Sequence, residues 1–192
     1  MPRAGLAPAS VTEAGATLAD EIGFARLGMG LLAERLRVRT PSLYKHVDNL
    51  ADLAHRIAVL ATTELGDAIR DATRGCAGGD ALTAAAQAMR GFVKAHPGRY
   101  AAANDARPTG PDDPFLAASD RLLGCLAAAL RGYRLDPDQE LHALRMLRSM
   151  LHGFAALEVA GGFRIDTSVD DSFTWMIHLV DQGLRATAAV DG

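Results

Sequence analysis

At 192 residues, with 49% hydrophobic and 22% charged side chains, the chain has an ordinary globular composition and length enough for one large domain or two modest ones. A formal net charge of −3 excludes a protein coated in basic residues for indiscriminate nucleic-acid binding. No apolar run reaches the ~18 residues of a membrane span, and the opening MPRAGLAPAS lacks the apolar segment of a signal peptide, so the cytoplasm is the expected compartment.

Residues 1–9, rich in Pro, Ala and Gly, predict a mobile lead. Ser10-Val11-Thr12-Glu13 fits a capping box at a helix start, and Val11, Ala14, Leu18 and Ile22 then recur at helical spacing until Gly23. The stretch Leu31 to Val47 predicts a helix, a tight turn and a second helix. Leu31, Leu32, Leu36 and Val38 give the first piece a buried side, and Leu43 and Val47, at i and i+4, give the second its own. Thr40 is positioned to cap the second helix ahead of Pro41. Arg39, Thr40, Ser42, Tyr44, Lys45 and His46 are left pointing elsewhere, as cationic, hydroxyl-bearing and aromatic groups suited to phosphate oxygens and base edges. An apolar helix, a turn and a polar-tipped helix in that order make a helix-turn-helix. The charge agrees: from Arg26 to Val47 there are five cations, Arg26, Arg35, Arg37, Arg39 and Lys45, against Glu34 alone.

Asp48 and Asn49 supply cap candidates for a long helix from Leu50 to about Asp71, with Leu50, Leu53, Ile57, Leu60 and Glu64 along its stripe. Arg74 to Asp80 is a soft joint. A helix from Ala81 to Ala95 follows, broken at His96-Pro97-Gly98; a short piece spans Arg99 to Asn104, and Ala106 to Pro114 is a Pro/Gly-rich loop. Phe115 to Leu130 is apolar and helical. Asp136-Pro137-Asp138-Gln139 reads as a cap, a Pro at the first helical position and a Gln at the third, opening a helix to Val159 that Gly161-Gly162 ends. Ser168 to Asp171 caps a last helix to about Arg185 with Phe173, Met176, Ile177, Val180 and Leu184 on one side. No strand-like alternation persists. The expected fold is all-α with about nine helices: a three-helix DNA-binding head at residues 1–48 and a larger bundle at 49–192. Cys76 and Cys125 have no CxxC spacing and read as reduced thiols.

Leu27 through Leu50, with Pro41-Ser42-Leu43-Tyr44-Lys45-His46-Val47 as the most diagnostic part, resembles the tetracycline-repressor (TetR) family. Arg145 to Phe163, followed by Ser172-Phe173, resembles a TetR-type ligand and dimer domain. The resemblance implies a homodimeric regulator, usually a repressor, with a small-molecule pocket in each C-terminal domain. It implies base contacts from Thr40, Pro41, Ser42 and Lys45, phosphate contacts from Tyr44 and His46, and a helix beginning at Met29-Gly30 close to the DNA backbone. The sequence departs from the family at three places. Arg37 stands where the turn usually has Gly, the hydroxyl and cation usual near Met29 and Gly30 are absent, and Leu50 replaces a phosphate-clamping Lys. Arg37 and Arg39 are the candidates to replace those clamps.

A ligand site in a helical bundle needs apolar walls and a few converging polar groups. The available walls are Met89, Phe92, Tyr100, Phe115, Met146, Met150 and Trp175; the available polar groups are Asn104, Arg148, His152 and His178. Arg148 and His152, at i and i+4, share a face that could bind an anion, bridge to an acid such as Glu158 or Asp181, or lie in a dimer seam, with a structural network favoured. The spacing of His142, His152 and His178 gives no metal site. No nucleophile elbow surrounds Ser149, and no cofactor is implied. The sequence therefore predicts a non-enzymatic repressor released from a palindromic operator by a small apolar or amphipathic molecule. The dimer would form through the last two long helices, with the helix from Leu50 coupling the domains. The alternative is a ligand-binding or interaction module whose DNA head has decayed.

Overall fold

The computed structural model describes residues 6–190. The described residues form nine α-helices and two single 3-10 turns, with no strand: α1 Pro8–Ile22, α2 Met29–Leu36, α3 Thr40–Leu43, α4 Leu50–Ala72, α5 Gly78–Ala95, α6 Pro97–Asp105, α7 Pro114–Leu130, α8 Pro137–Val159 and α9 Val169–Val190. No helix among them is long and apolar enough to cross a membrane.

Most boundaries follow from local chemistry. At α8 the Asp136 carboxylate accepts the Gln139 backbone N–H at 2.8 Å while the Gln139 side chain accepts the Asp136 N–H at 3.1 Å, so two otherwise orphaned donors are satisfied reciprocally. Its far end closes at Gly161 (φ 65°), with the Gly162 N–H reaching back to the Leu157 carbonyl at 2.7 Å. At α9 the Ser168 hydroxyl accepts the Asp171 N–H at 3.1 Å. The start of α1 differs from expectation. It begins three residues earlier, with Ala7 rather than Ser10 at the cap and Pro8 the first helical residue, and Ser10 caps from the third position by accepting the Ala7 N–H at 3.0 Å. Pro8 and Ala9 are therefore helical rather than part of a mobile lead; residues 1–5 of that stretch lie outside the described residues.

The described chain divides into two compact units. The first takes residues up to Thr63 together with Ala95–Ala118; the second takes Glu64–Lys94 and the chain from Ser119 onward. In the first, Val11, Leu32, Leu43, Val47, Leu53 and Ile57 form a sealed core. Leu31 and Leu50 are exposed instead, at 44% and 40%. The buried stripe of α2 runs Met29, Leu32, Ala33, which Leu31 misses by register, and Leu50 sits in the capped opening turn of α4 ahead of Leu53 and Ile57.

The same unit holds a joint between α6 and α1. The Arg99 side chain is buried; its backbone N–H and its Nε donate to the two oxygens of Asp20 at 2.8 and 3.0 Å, and a terminal nitrogen reaches Glu13. His96 faces the same Asp20 at 3.1 Å. The α6–α7 loop is pinned to α4 by Asp113, whose buried carboxylate accepts the N–H groups of Phe115 and Thr109 and meets His55 Nε2 at 2.8 Å. Those backbone donors, Phe115 first, hold its carboxyl far below the usual carboxylate range.

In the second unit, Leu82, Ala86, Met89, Leu130, Leu147, Leu151, Phe173 and Ile177 are buried. Among them lies a charged residue, Arg90. Its Nε and one terminal nitrogen bind the two Glu158 oxygens at 2.7 Å each, the guanidinium also reaches Asp170, and it lies over the rings of Phe173 and Phe154 at 4.7 and 5.6 Å. Lys94 shares Glu158, and Asp181 is held by Tyr133 and Arg185. Arg90 and Tyr133 reach these two carboxylates, whereas Arg148 is exposed on α8.

Candidate nucleic-acid interface

The helix-turn-helix rests on two buried anchors in and just after α3, Leu43 (0% exposed) and Val47 (1%), in one core with Leu32 and Ala33 of α2. Their burial fixes which side chains face outward. Arg37, Arg39, Pro41, Tyr44 and Lys45 are exposed, while Thr40, Ser42 and His46 are half-buried beside them. Tyr44 leaves 51% of its surface in solvent.

The turn is closed by Arg37, which adopts a left-handed conformation (φ 55°, ψ 44°) while its N–H bonds Glu34 and the Val38 N–H bonds Ala33, each at 3.0 Å. This is a glycine-type helix ending built with an arginine. The backbone cost of the missing Gly is about 1 kcal/mol. Arg37→Gly is accordingly expected to raise stability by about 1 kcal/mol in a denaturant titration. If Arg37 also contacts phosphate, the same variant binds DNA more weakly, with a salt slope shallower by about one.

The N-cap of α3 is Arg39, with the Ser42 N–H on its carbonyl at 2.8 Å. Thr40 is thus the first helical residue and Pro41 the second. That places Thr40 one position later than a cap, so its hydroxyl is not committed to capping. Only Thr40–Leu43 is regular helix. The chain continues through a tighter turn, with the His46 and Val47 N–H groups both on the Leu43 carbonyl at 2.9 and 3.1 Å.

The cations of the head divide into two kinds. Arg35 is held by both oxygens of Glu21, and that hydrogen bond lowers the Glu21 carboxyl. Arg56 is held by Asp52, whose other oxygen accepts the Asp48 N–H, while Asn49 caps α4 through the Asp52 N–H at 2.9 Å. Arg26, Arg37, Arg39 and Lys45 make no ion pair among the described residues, so their charge is available to an anionic partner. The start of α2 has Gly28 as its cap with no side-chain bond, so the hydroxyl usual there is not replaced by another capping side chain.

The residues expected to line an effector site fall in different surroundings. In the first unit Tyr100 and Phe115 are half-buried, Phe115 tilted against His55, and Asn104 is exposed. In the second, Met89 and Phe92 are buried, Met150 and His152 are half-buried, and Met146, Arg148, Trp175 and His178 are exposed, Trp175 to 67%. The buried arginines Arg90 and Arg99 were not among the expected site residues. Position 90 shares a helical face with Ala86, Met89 and Val93, and a cation there is the signal that marks it.

Comparison with known proteins agrees with this arrangement. Residues 82–180 match the family described as "Tetracyclin repressor-like, C-terminal domain". An uncharacterized HTH-type transcriptional regulator of Mycobacterium tuberculosis is 34% identical over 177 residues, covering 92% of this chain and 80% of that protein. A structure of a protein with unknown function from Rhodococcus superposes with a TM-score of 0.81 at 18% identity, covering 96% of this chain and 98% of that one. BioQ, crystallised with its double-stranded DNA operator, superposes at 0.69 and 21% identity, covering 95% and 99%. A helix-turn-helix with exposed unpaired cations, carried by an all-α chain with these relatives, places the protein in the TetR family of transcriptional regulators.

Proposed function

We propose that this regulator binds a palindromic DNA operator as a homodimer and is released from it by a small apolar or amphipathic effector. The observation that carries the reading is the outward face of the turn and α3, where Arg37, Arg39, Tyr44 and Lys45 stand exposed above buried Leu43 and Val47. Residues 1–48 would act as the reading head. Thr40, Pro41, Ser42 and Lys45 would meet base edges, Tyr44 and His46 phosphates, and Arg37 and Arg39 would supply the clamps that Gly28, Gly30 and Leu50 do not. BioQ, of the same fold, is a precedent for operator binding.

For dimerisation, α8 and α9 offer Leu141, Leu157, Trp175 and Leu179, exposed by 47%, 53%, 67% and 46%. Two such helices from each copy can close a four-helix bundle. Met146 and Trp175, exposed on the same two helices, would join this seam. A Trp175→Glu, Leu179→Glu variant is expected to sediment as a monomer at micromolar concentration, where the wild type sediments as a dimer. A monomeric wild type contradicts the dimer reading.

For the effector, the buried or half-buried residues Met89, Phe92, Met150 and His152 of the second unit are candidates, and Tyr100 and Phe115 of the first are separate ones. Helix α4, which begins at Leu50 in the unit holding the head and ends at Ala72 in the other, is the proposed coupler. By linkage, such an effector binds less tightly when operator is present. The reading involves binding and no catalysis. It is tested by selecting genomic fragments with the purified protein. Enriched palindromes with half-sites spaced about one helical turn, roughly 10 bp, or a multiple of it, support it. An unenriched pool favours a ligand-binding module with a decayed head.

A further inference from the structure

Within the second unit, α5 and α9 flank a groove of about 290 Å³ whose walls include Asp80, Thr83 and Gln87 on one side and Thr174, His178 and Arg185 on the other. It is distinct from the apolar effector candidates above and needs no part of the DNA-binding head. Its floor is fixed. Asp181 accepts the Tyr133 hydroxyl and the Arg185 Nε–H at 2.9 Å, and the Arg185 guanidinium lies 5.7 Å from the centre of the Tyr133 ring. Gly79 lets the wall close in, because a Cβ there would come within 2.8 Å of an Asp181 oxygen and 3.0 Å of an Arg185 terminal nitrogen.

What this arrangement leaves open is specific. Arg185 spends only its Nε on Asp181, and its two terminal nitrogens have no hydrogen-bond partner among the described residues. The Asp80 carboxylate likewise has none, and neither do the side chains of Thr83, Gln87 and His178. Asp80 and Arg185 make no ion pair, yet they sense each other: the Arg185 charge is supported first by the Asp181 hydrogen bond and also by the field of Asp80. Asp181 lines the groove as well, but its two oxygens are taken by Tyr133 and the Arg185 Nε, so the charges left to a ligand are the Arg185 terminal nitrogens and the Asp80 carboxylate, which do not close on each other. A simple anion would meet Arg185 but be repelled by Asp80, and a simple cation the reverse. A zwitterion satisfies both.

We propose that this groove binds a free amino acid with an uncharged polar side chain, its α-carboxylate on the terminal nitrogens of Arg185 and its α-ammonium on Asp80. Thr83, Gln87, Thr174 and His178 supply hydrogen-bonding partners for the side chain, and Ile177 an apolar contact.

The test is isothermal titration of the full chain with serine, threonine, asparagine and glutamine, then with the deaminated and decarboxylated counterparts of whichever binds. The expected result is a dissociation constant below about 1 mM for at least one amino acid, with each half-molecule weaker by tenfold or more. Asp80→Asn, at an exposed and unpartnered position, is expected to weaken binding by at least about tenfold, and Thr83→Trp to abolish it by filling the groove. Circular dichroism melts check that both variants stay folded. No binding to wild type, half-molecules binding as tightly as the parent, or Asp80→Asn binding like wild type each overturns the proposal. Operator plays no part in these titrations, so their failure is separable from that of the regulator reading.

Discussion

Gly98→Ala is expected to disrupt the joint between α6 and α1 and lower the melting temperature by roughly 6–12 °C, the equivalent of about 3 kcal/mol for a chain of this size. A Cβ at position 98 would sit 2.1 Å from the carbonyl carbon and oxygen of Ala19 and 2.5 Å from the Asp20 nitrogen. All three are backbone atoms, so no flexible side chain can yield. The helices would have to part, and Asp20 would lose its seat against Arg99 and His96. Gly91→Ala is the matched control. That glycine lies on the exposed side of α5 with nothing within 4 Å of a new Cβ, and the substitution is expected to stabilise by about 0.5–1 kcal/mol. Thermal denaturation of the two variants side by side separates steric exclusion from helix propensity. A Gly98→Ala protein melting within 2 °C, roughly 1 kcal/mol, of wild type would falsify the close approach.

Arg90→Ala is expected to cost about 3 kcal/mol, because it leaves the largely buried Glu158 carboxylate with Lys94 alone and strips the cation from the faces of Phe154 and Phe173. The pH dependence follows from the sign of the shift. The Arg90 hydrogen bond holds Glu158 below its ordinary value of 4.5. That stabilisation is fully present above pH 4.5 and drains away as the pH falls through the lowered folded-state value. The gap between wild type and Arg90→Ala in urea titrations should therefore be widest near neutrality and narrow in acid. A gap that is constant with pH would mean that lost packing, not the ion pair, accounts for the effect. Replacing both partners, Arg90→Met with Glu158→Leu, should recover part of the loss, since no unpaired buried charge is left.

How far the sequence was readable depends on the range of the interaction. Asp136 with Gln139, Ser168 with Asp171, and the glycines at 161–162 act within a few residues, and each element end appears where its local chemistry put it. The turn at Arg37 was only half readable: an Arg where the family usually has Gly left open a positive φ or a different turn, and the structure takes the positive φ. Gly98 shows the limit. His96-Pro97-Gly98 marks a helix break, but the glycine's closest approach is to a backbone 79 residues earlier, which no local pattern encodes. Arg90 and Arg99 stayed hidden for the same reason: the carboxylates that make their burial tolerable come from Glu158, Asp20 and Glu13, far away in the chain. In the head, Leu43 and Val47 revealed which residues face outward. They did not reveal that Arg35 is tied to Glu21, since α1 had to be placed beside α2 first.

The most direct measurement of the central claim is fluorescence anisotropy on a duplex recovered from genomic selection, against a scrambled duplex, across a salt series. Wild type would be compared with Tyr44→Ala, Lys45→Ala and Arg35→Ala. Wild type is expected to prefer the selected duplex and to lose affinity steeply with salt. Tyr44→Ala and Lys45→Ala are both expected to bind more weakly, the latter with a salt slope shallower by about one. Arg35→Ala should leave that slope unchanged, because its charge is already spent on Glu21. Equal affinity for both duplexes, with Tyr44→Ala and Lys45→Ala indistinguishable from wild type, would contradict the assignment of this face to DNA.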